Sequence, residues 1–445
     1  MPYPEAFSGA WSGSGLSLYF LYFYPLGLAG DARRQPVLTF GLALLMTGAF
    51  VWLRYFPDRL PLDPAQLIFY PGNSRLHTVA TAIFLHSGWL HLLGNLVYFY
   101  VFGAALEARL GRSLFLAVFL ILGVFGNLAH GLVAALGWLG QYGVGVLGAS
   151  GAIAGLLGMA LIRFRSSQVE IGWWLFAPLL GQNKVGRTPL PVPVAVGLWL
   201  GLQVVHSLVA TEAGASVSYG AHLGGFGMGL VLAMLLGQWR LGTAEGHARR
   251  ARRYFRRGAY HAAEGEWVAY LGLQPGDLEA RLELARARLL TGQMFQAEQN
   301  LGQVFRYLMA RGRVSRALEV FQEARRADLV SLFNPVELAR VAYFQEKQSQ
   351  FRESARTLEL LFRRYPRHPE GQRALVRLVV LHMGKLDAGK DGEDLRRWLA
   401  TARRYLPQGG WRDFLESELK AAGGLGADTT PDHPPAEPQP VSPEP

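Results

Sequence analysis

The chain has 445 residues, of which 50% are hydrophobic and only 17% charged, so its composition is too apolar for an average soluble protein. Its net charge is +11 at pH 7, and the absence of cysteine excludes a disulfide framework and a thiolate site. Long apolar runs lie between about residues 37 and 239, whereas charges are dense from Arg240 onward. We therefore expect a membrane part followed by a soluble part.

Residues 1–36 are predicted to form an N-terminal cytoplasmic or interfacial segment. The first residues, "MPYPEAF", lack the basic region of a cleaved signal peptide, so we expect the N-terminus to be retained. The stretch "WSGSGLSLYFLYFYPLGLAG" at 11–30 is uncharged but is broken by glycines and Pro25. It is either an additional span or, as we favour, an aromatic segment at the membrane interface.

Six further segments are long and apolar enough to cross a bilayer. They are predicted at about 37–54, 88–106, 114–138, 148–164, 191–210 and 219–239. The loops at 139–147 and 211–218 contain no Lys or Arg, so the positive-inside bias places both termini in the cytoplasm. The loop at 55–87 is proline-rich and amphipathic and is predicted to lie on the outer membrane surface.

Polar residues recur on alternate spans. His91 and Asn95 lie on the second span, Ser150 on the fourth and His222 on the sixth, and all three spans would start from the outer face. At about 1.5 Å per residue, the four side chains would converge at a similar shallow depth. Polar residues within spans are costly and mark functional sites.

These residue types suit nucleophilic acyl transfer. The Ser150 hydroxyl becomes a good nucleophile when a base such as neutral His222 accepts its proton. His91 and Asn95 are spaced i, i+4 on one helix face and can point at one oxyanion. The backbone N–H of Ser150 adds a third donor if Gly148 lets the chain enter the helix in an open conformation. Because no acidic residue is near His222 in the sequence, we predict a Ser-His dyad.

Small residues at roughly one-turn spacing predict close packing of the fourth and sixth spans, since helices without side chains at their interface approach closely in lipid. On the fourth span they are Gly151, Gly155 and Gly158, and on the sixth Gly224, Gly225 and Gly229. Such packing would bring His222 to Ser150.

Residues 37–239 resemble the rhomboid intramembrane serine proteases. The matching motifs are "HSGWLHLLGN", "GAALEARLG", "GASGAIAG" and "AHLGGFGMG", in this order along the chain. The resemblance implies a six-helix protease core with Ser150 as nucleophile, His222 as base, and His91 and Asn95 at the oxyanion. It also implies a mobile fifth span that gates substrate access, membrane-anchored protein substrates, and no metal or organic cofactor.

Two positions depart from the family pattern. Ala154 stands where many relatives have an aromatic residue that supports the histidine ring, and "RLHTVATAIFLH" stands where some have a Trp-Arg pair. His86 and His130 are interpreted as structural, and Glu107 and Arg109 as a cap and anchor at the cytoplasmic end.

Two other functions remain open for this part of the chain. A catalytically silent rhomboid-like scaffold would bind membrane clients while the soluble part recruits partners, but such families usually lack the serine or the histidine. A transporter fits poorly, because the polar residues stop at shallow depth instead of lining a path across the membrane.

The soluble part is predicted to be helical, which makes the whole chain all-α. Residues 240–257 form a basic juxtamembrane linker, whose arginines at the membrane edge argue against nucleic acid as a partner. Residues 258–422 resemble tetratricopeptide repeats, which hold peptides or proteins on a concave surface. A plain helical domain is the alternative.

The repeat consists of a small residue, an apolar residue two positions later and a second small residue three positions after that. It occurs at Gly258-Tyr260-Ala263, Gly292-Met294-Ala297, Gly312-Val314-Ala317 and Ser349-Phe351-Ser354. Residues 423–445 are Pro-rich and predicted to be disordered. The compact multi-pass arrangement favours a bacterial inner membrane.

Overall fold

The structure, a computed structural model, describes residues 20–28, 35–56, 63–72, 75–137, 145–177, 182–209, 218–384 and 388–421. The expectations for the first 19 residues and for the tail at 423–445 lie outside the described residues. Two compact units can be distinguished. The first contains residues up to Arg250 with Gly272–Pro275, and the second contains Ala251–Leu271 with the residues from Gly276 onward.

Helices dominate the first unit. They are α1 (Val37–Tyr55), α2 (Thr78–Thr81), α3 (Trp89–Tyr98), α4 (Ala104–Leu110), α5 (Arg112–Ala135), α6 (Ser150–Arg163), α7 (Val192–Val209), α8 (Tyr219–Leu235) and, as far as Arg250, α9 (Gln238–Arg256). A π-helical turn, Phe99–Gly103, joins α3 to α4, so the helical segment continues from Trp89 to Leu110.

Within the described residues, three helical segments have the length and composition of a membrane span: Val37–Tyr55, Trp89–Leu110 and Arg112–Ala135. The pair α8 and α9, bent by 73°, qualifies only when taken together as a fourth. Helix α6 has 14 residues, about 21 Å, and is shorter than the roughly 30 Å of hydrocarbon. Apolar helices occur at all six predicted positions, but the count of six spans stays a prediction.

A three-stranded antiparallel sheet corrects the all-α prediction. Its strands are β1 (Phe20–Leu28), β2 (Gln168–Ala177) and β3 (Gln182–Pro191), and β2 lies in the centre. The prolines of the sheet lie on the edge strands, where a missing N–H can face outward, and the pairing of β1 shifts between Pro25 and Gly27. The described part of the 11–30 segment is therefore a strand and not a helical span.

Helices also build the second unit. They are α10 (Tyr260–Leu273), α11 (Leu278–Leu290), α12 (Met294–Ala310), α13 (Val314–Arg326), α14 (Pro335–Lys347), α15 (Phe351–Arg364), α16 (Pro369–Gly384), α17 (Ala388–Tyr405) and α18 (Trp411–Ala421). Their core includes the mutually packed rings of Phe305, Phe321 and Phe333.

The repeated frame found in the sequence marks helix junctions in this unit. Its first position has a positive φ every time, at Gly258 (75°), Gly292 (78°), Gly312 (68°) and Ser349 (59°). Its second position begins α10, α12, α13 and α15, and its third position is fully buried. A left-handed residue followed by a new helix is how helix pairs are joined. Assignment of these pairs to tetratricopeptide repeats stays a prediction.

Candidate active site

Helix α3 presents His91 and Asn95 one turn apart, as the spacing predicts. The hydroxyl of Ser87 lies 3.0 Å from Nδ1 of His91. A hydroxyl that donates to Nδ1 leaves the ring hydrogen on Nε2. Asn95 is buried, and its Nδ2 has no hydrogen-bond partner within the described part of the chain. When the Ser87 hydroxyl is the donor to His91 Nδ1, the pair offers two N–H donors.

Gly148 lies directly against these two side chains. A Cβ at this position would lie 2.9 Å from His91 Nε2 and 3.7 Å from Asn95 Nδ2. Its φ of +123° is in a region that residues with side chains rarely adopt. Both the lack of space for a Cβ and the backbone conformation therefore require glycine here. The Gly148 N–H donates to the Ala82 carbonyl at 2.9 Å. Gly148 thus gives the backbone the conformation that lets it lie against His91 and Asn95. Its own N–H is hydrogen-bonded to Ala82 and is not an additional free donor.

Ser150 is the first residue of α6, two residues after Gly148. The first N–H groups of a helix have no partner within that helix, so they remain available to a negative charge. The Ser150 side chain is half-buried. The structure therefore brings the three predicted oxyanion residues together at Gly148, two residues before the serine.

His222 lies in the first turn of α8. Ser218 caps this helix, because its hydroxyl accepts a hydrogen bond from the Ala221 N–H at 3.3 Å. His222 Nδ1 lies 2.7 Å from Oε1 of Gln203 on α7. An amide oxygen only accepts, so Nδ1 carries the ring hydrogen and Nε2 keeps a lone pair. A ring in this tautomer can accept a proton through Nε2.

Glycines let α6 and α8 approach at backbone distance. A Cβ at Gly225 would lie 2.1 Å from the Gly151 carbonyl oxygen, and one at Gly229 would lie 1.9 Å from the Gly155 carbonyl oxygen. A Cβ at Gly151 would be 3.6 Å from the Ala221 Cβ. The neighbours of the proposed dyad are thus in contact, as the small-residue pattern predicts.

The Ser150 hydroxyl and the His222 ring are not hydrogen-bonded to each other, although both residues are described. Catalytic hydrogen bonds in enzymes without substrate are often long and shorten only when the substrate is bound. The arrangement therefore brings the helix faces of the dyad together and leaves its hydrogen bond unformed.

Helix α5 supports several parts of this site. The Asn127 amide donates to the Val79 carbonyl at 2.9 Å, and a Cβ at Gly126 would lie 3.0 Å from the Ala221 carbonyl oxygen. His130 Nδ1 lies 2.7 Å from the Ser218 hydroxyl, which is the cap of α8. The contact is in line with a structural role for His130.

The ring of His222 has aromatic neighbours despite the alanine at 154. Trp199 on α7 and Tyr219 on α8 each have ring centroids 6.3 Å from the His222 ring. Ala154 is fully buried. His86 packs edge-on against His91 with centroids 5.3 Å apart, and neither of its ring nitrogens has a partner in the described structure.

Charged residues form a second cluster away from the proposed dyad. The Glu107 carboxylate accepts hydrogen bonds from the backbone N–H of Leu38 at 3.0 Å and of Thr39 at 2.7 Å, so it caps α1. Arg163 is 4% exposed and binds Glu245 through two hydrogen bonds of 2.9 and 2.6 Å. Arg109 lies 3.6 Å from the same carboxylate.

The charges around Glu245 determine its protonation. Burial by itself would raise the pKa of this carboxyl group, but the hydrogen bonds and charge of Arg163, with the charge of Arg109, outweigh it. The net effect is a pKa below the ordinary value for a glutamate, so Glu245 is ionised at neutral pH.

Sequence reasoning missed the partners of the histidines. Ser87 is four residues before His91 and could have been found from helical spacing, whereas Gln203 is 19 residues from His222 and on another helix. No local pattern would have identified Gln203. Glu245 was missed for the same reason, since its partner Arg163 is 82 residues away.

Comparison with known proteins adds an independent finding. Residues 73–239, which include all five proposed site residues, match the sequence profile of the Rhomboid domain. YdcA of Bacillus subtilis (strain 168), a rhomboid-named protein, is 33% identical over 147 residues, which are 31% of this chain and 68% of YdcA.

Two Arabidopsis thaliana proteins are also similar. Rhomboid-like protein 11, chloroplastic, is 29% identical over 204 residues, which are 45% of this chain and 65% of that protein. RHOMBOID-like protein 12, mitochondrial, is 28% identical over 213 residues, 44% of this chain and 57% of that protein. The chain thus spans less than two thirds of the length of either plant relative.

Proposed function

Because this chain belongs to the rhomboid family, we propose that it is an intramembrane serine endopeptidase that cleaves membrane-anchored proteins within or near their spans. The observation that carries the proposal is the meeting of His91, Asn95 and Gly148 at the start of α6, where Ser150 lies. The close backbone packing of α8 on α6 supports His222 as the base.

In the first half of the reaction, the Ser150 hydroxyl attacks the carbonyl carbon of the scissile amide while its proton passes to His222 Nε2. The negative charge that develops on the carbonyl oxygen is stabilised by Asn95 Nδ2, His91 Nε2 and the Ser150 backbone N–H. The protonated His222 then gives its proton to the leaving amine, the C–N bond breaks, and an acyl-enzyme remains.

In the second half, water attacks the acyl-enzyme. His222 Nε2 accepts a proton from the water, the same donors stabilise the second oxyanion, and the Ser150 oxygen leaves with the proton that His222 returns. The product is a carboxylic acid, which loses its remaining proton to the solvent to become a carboxylate, and the residues regain their starting protonation.

The proposal is tested with purified protein and a model single-span substrate. Cleavage should occur with the native chain and should be undetectable for Ser150→Ala and His222→Ala. The control is Ser113→Ala, which removes an exposed hydroxyl of α5 and should leave cleavage unchanged. Full activity of either dyad variant would overturn the assignment.

A catalytically silent scaffold is the alternative from a different functional class. A fluorophosphonate probe distinguishes the two functions, because it reacts with the activated serine of a protease and does not react with a scaffold that lacks one. Labelling that is lost in Ser150→Ala supports the protease, and a native chain that neither reacts nor cleaves supports the scaffold.

The chain is an integral membrane protein, and we propose a more detailed topology for it. Six spans with both termini in the cytoplasm are supported by the charge distribution of the loops and by the apolar helices at all six positions. We propose a bacterial inner membrane as its location.

For the second unit we propose a tetratricopeptide-like surface that holds a cytoplasmic peptide or protein. The recurrence of a left-handed residue, a helix start and a buried small residue supports this proposal. The domain limits 37–239 for the protease, 240–257 for the linker and 258–422 for the repeats belong to the same proposal.

A further inference from the structure

His222 is held by a residue of another helix. Its Nδ1 lies 2.7 Å from the side-chain oxygen of Gln203 on α7, which is half-buried. Within the described part of the chain, no carboxylate is hydrogen-bonded to His222. In a Ser-His-Asp triad an acidic side chain accepts the Nδ1 hydrogen of the histidine. Here the amide of Gln203 takes that position.

An uncharged partner suits this location. A carboxylate beside a buried histidine in a membrane protein carries a large desolvation cost, whereas an amide oxygen accepts the Nδ1 hydrogen without a net charge. The hydrogen bond selects one ring tautomer and turns the Nε2 lone pair away from α7. This is the form of the ring that a general base requires.

A second contact from α7 restrains the same ring. Trp199, one turn before Gln203, lies beside His222 with ring centroids 6.3 Å apart and stacks on Phe226 of α8 at the same distance. The spacing i, i+4 puts Trp199 and Gln203 on one face of α7. That face supplies both a hydrogen bond and an aromatic wall to the histidine, while Ala154 supplies neither.

We infer that Gln203 is the positioning residue of the catalytic base, fixing the tautomer and orientation of His222 from α7. The inference rests on the proposed protease function. It makes the site a Ser-His-Gln set in which Gln203 touches the base and never the substrate. The correct seating of α7 against α8 is then part of the catalytic geometry.

The test compares Gln203→Leu, which removes the acceptor at similar size, with Gln203→Glu, which keeps an acceptor oxygen at the same place. Leu202→Ala is the matched control, because Leu202 is 57% exposed on the neighbouring position of α7. Steady-state cleavage of the single-span substrate and the rate of fluorophosphonate labelling are measured, together with thermal unfolding.

For Gln203→Leu we expect kcat and the labelling rate to fall about 100-fold while KM changes less than about 3-fold. The reason is that the tautomer and orientation of the His222 ring are no longer fixed, whereas substrate binding is unchanged. Gln203→Glu should restore most of kcat, and Leu202→Ala should behave as the native chain. Leu202→Ala should unfold close to the native temperature. Gln203→Leu and Gln203→Glu should unfold at somewhat lower temperatures, since the first leaves the Nδ1 hydrogen of His222 without an acceptor and the second places a carboxylate in the buried site.

Two outcomes would overturn the inference while the protease function stands. One is native kcat and labelling in Gln203→Leu. The other is a loss in Gln203→Leu that Gln203→Glu does not reverse, which would show a packing role. A native chain that neither cleaves nor reacts with the probe would instead contradict the proposed function itself.

Discussion

The unpaired amide of Asn95 is the residue-scale feature with the clearest consequence for catalysis. Its buried Nδ2 lies beside Gly148 and has no partner in the described structure. A buried donor left without an acceptor costs free energy in the resting protein. In the proposed reaction this donor gains a hydrogen bond when the oxyanion forms, so it would favour the transition state over the ground state.

We expect Asn95→Ala to lower kcat about 100- to 1,000-fold, the effect of removing one oxyanion donor, with a small change in KM. The contrasting variant is Asn127→Ala. The Asn127 amide donates to the Val79 carbonyl, so its loss should lower the unfolding temperature. Steady-state kinetics and thermal unfolding of both variants distinguish the roles. Native kcat in Asn95→Ala would remove Asn95 from the site.

Local patterns predicted some of the candidate site. The i, i+4 spacing of His91 and Asn95 on one helix and the glycine at 148 could be recognised along the chain, because each depends on neighbours in sequence. The orientation of His222 could not, since Gln203 and Trp199 reach it from another helix. The family pattern places an aromatic side chain at position 154 to support the histidine ring. Here Trp199 of α7 lies beside that ring, and no spacing rule along the chain connects Trp199 to His222.

At the scale of elements, the approach of α6 to α8 depends on the absence of single methyl groups. The Gly155 carbonyl oxygen occupies the space that a Cβ at Gly229 would need, at 1.9 Å. Backbone atoms cannot move aside as a flexible side chain can, so the helices would have to separate. Any separation would also move His222 away from Ser150.

We predict that Gly229→Ala destabilises the first unit by about 1 to 3 kcal/mol through overpacking and reduces cleavage. Gly227→Ala, two residues earlier on α8, is the control. A Cβ there meets nothing within 4 Å, and alanine is the better helix former, so stability should be unchanged or slightly higher. Thermal unfolding and probe labelling are the measurements. Equal behaviour of the two variants would contradict the packing argument.

The sheet shows where prediction of elements from sequence failed. β1 and β2 are about 140 residues apart in sequence, and their pairing gives each strand a partner that local periodicity does not reveal. The aromatic run in β1 contains a proline and reads as a broken span by hydropathy. Helices were predicted well because their apolar faces and glycine spacing are local, as for α6 and α8.

At the scale of the whole molecule, a buried ion pair between Arg163 and Glu245 contributes to the stability of the first unit. Arg163 is 4% exposed, and the Glu245 carboxylate that neutralises it lies on α9. Removing one member of such a pair leaves an uncompensated buried charge, which costs more than the pair contributes.

Glu245→Gln should therefore lower the free energy of unfolding by about 2 to 3 kcal/mol at pH 7. Because the pKa of Glu245 is lowered in the folded state, its stabilising effect is present above the ordinary glutamate value of about 4.3. The effect is lost as the pH falls through the lower folded pKa.

The measurement is denaturant unfolding of the two proteins in the same detergent between about pH 7 and pH 3. The difference between native chain and variant should shrink toward the acid end. Glu170→Gln, which changes an exposed carboxylate of β2, should leave stability unchanged. A difference independent of pH would mean that the charge of Glu245 is not the cause.

In the second unit, the repeated frame of the sequence coincides with helix junctions. Gly258, Gly292, Gly312 and Ser349 stand at helix junctions because a positive φ there ends one helix before the next begins. Packing partners such as Phe305 and Phe333 are brought together by stacking of helices, which the frame does not specify. The frame also leaves open the surface chemistry on which the proposed peptide or protein partner would depend.

Helix α5 has no residue in the proposed reaction, yet it contacts the 3-10 turn Ala82–Phe84 that anchors Gly148, the start of α6 and the start of α8. Ile83 packs on Gly123, the Ala221 carbonyl lies against Gly126, and Ser218 bonds to His130. It is a common surface against which the elements of the proposed site pack. Inactive variants on α5 would thus report lost alignment, and second-site changes that rescue a weakened site should be sought on this helix.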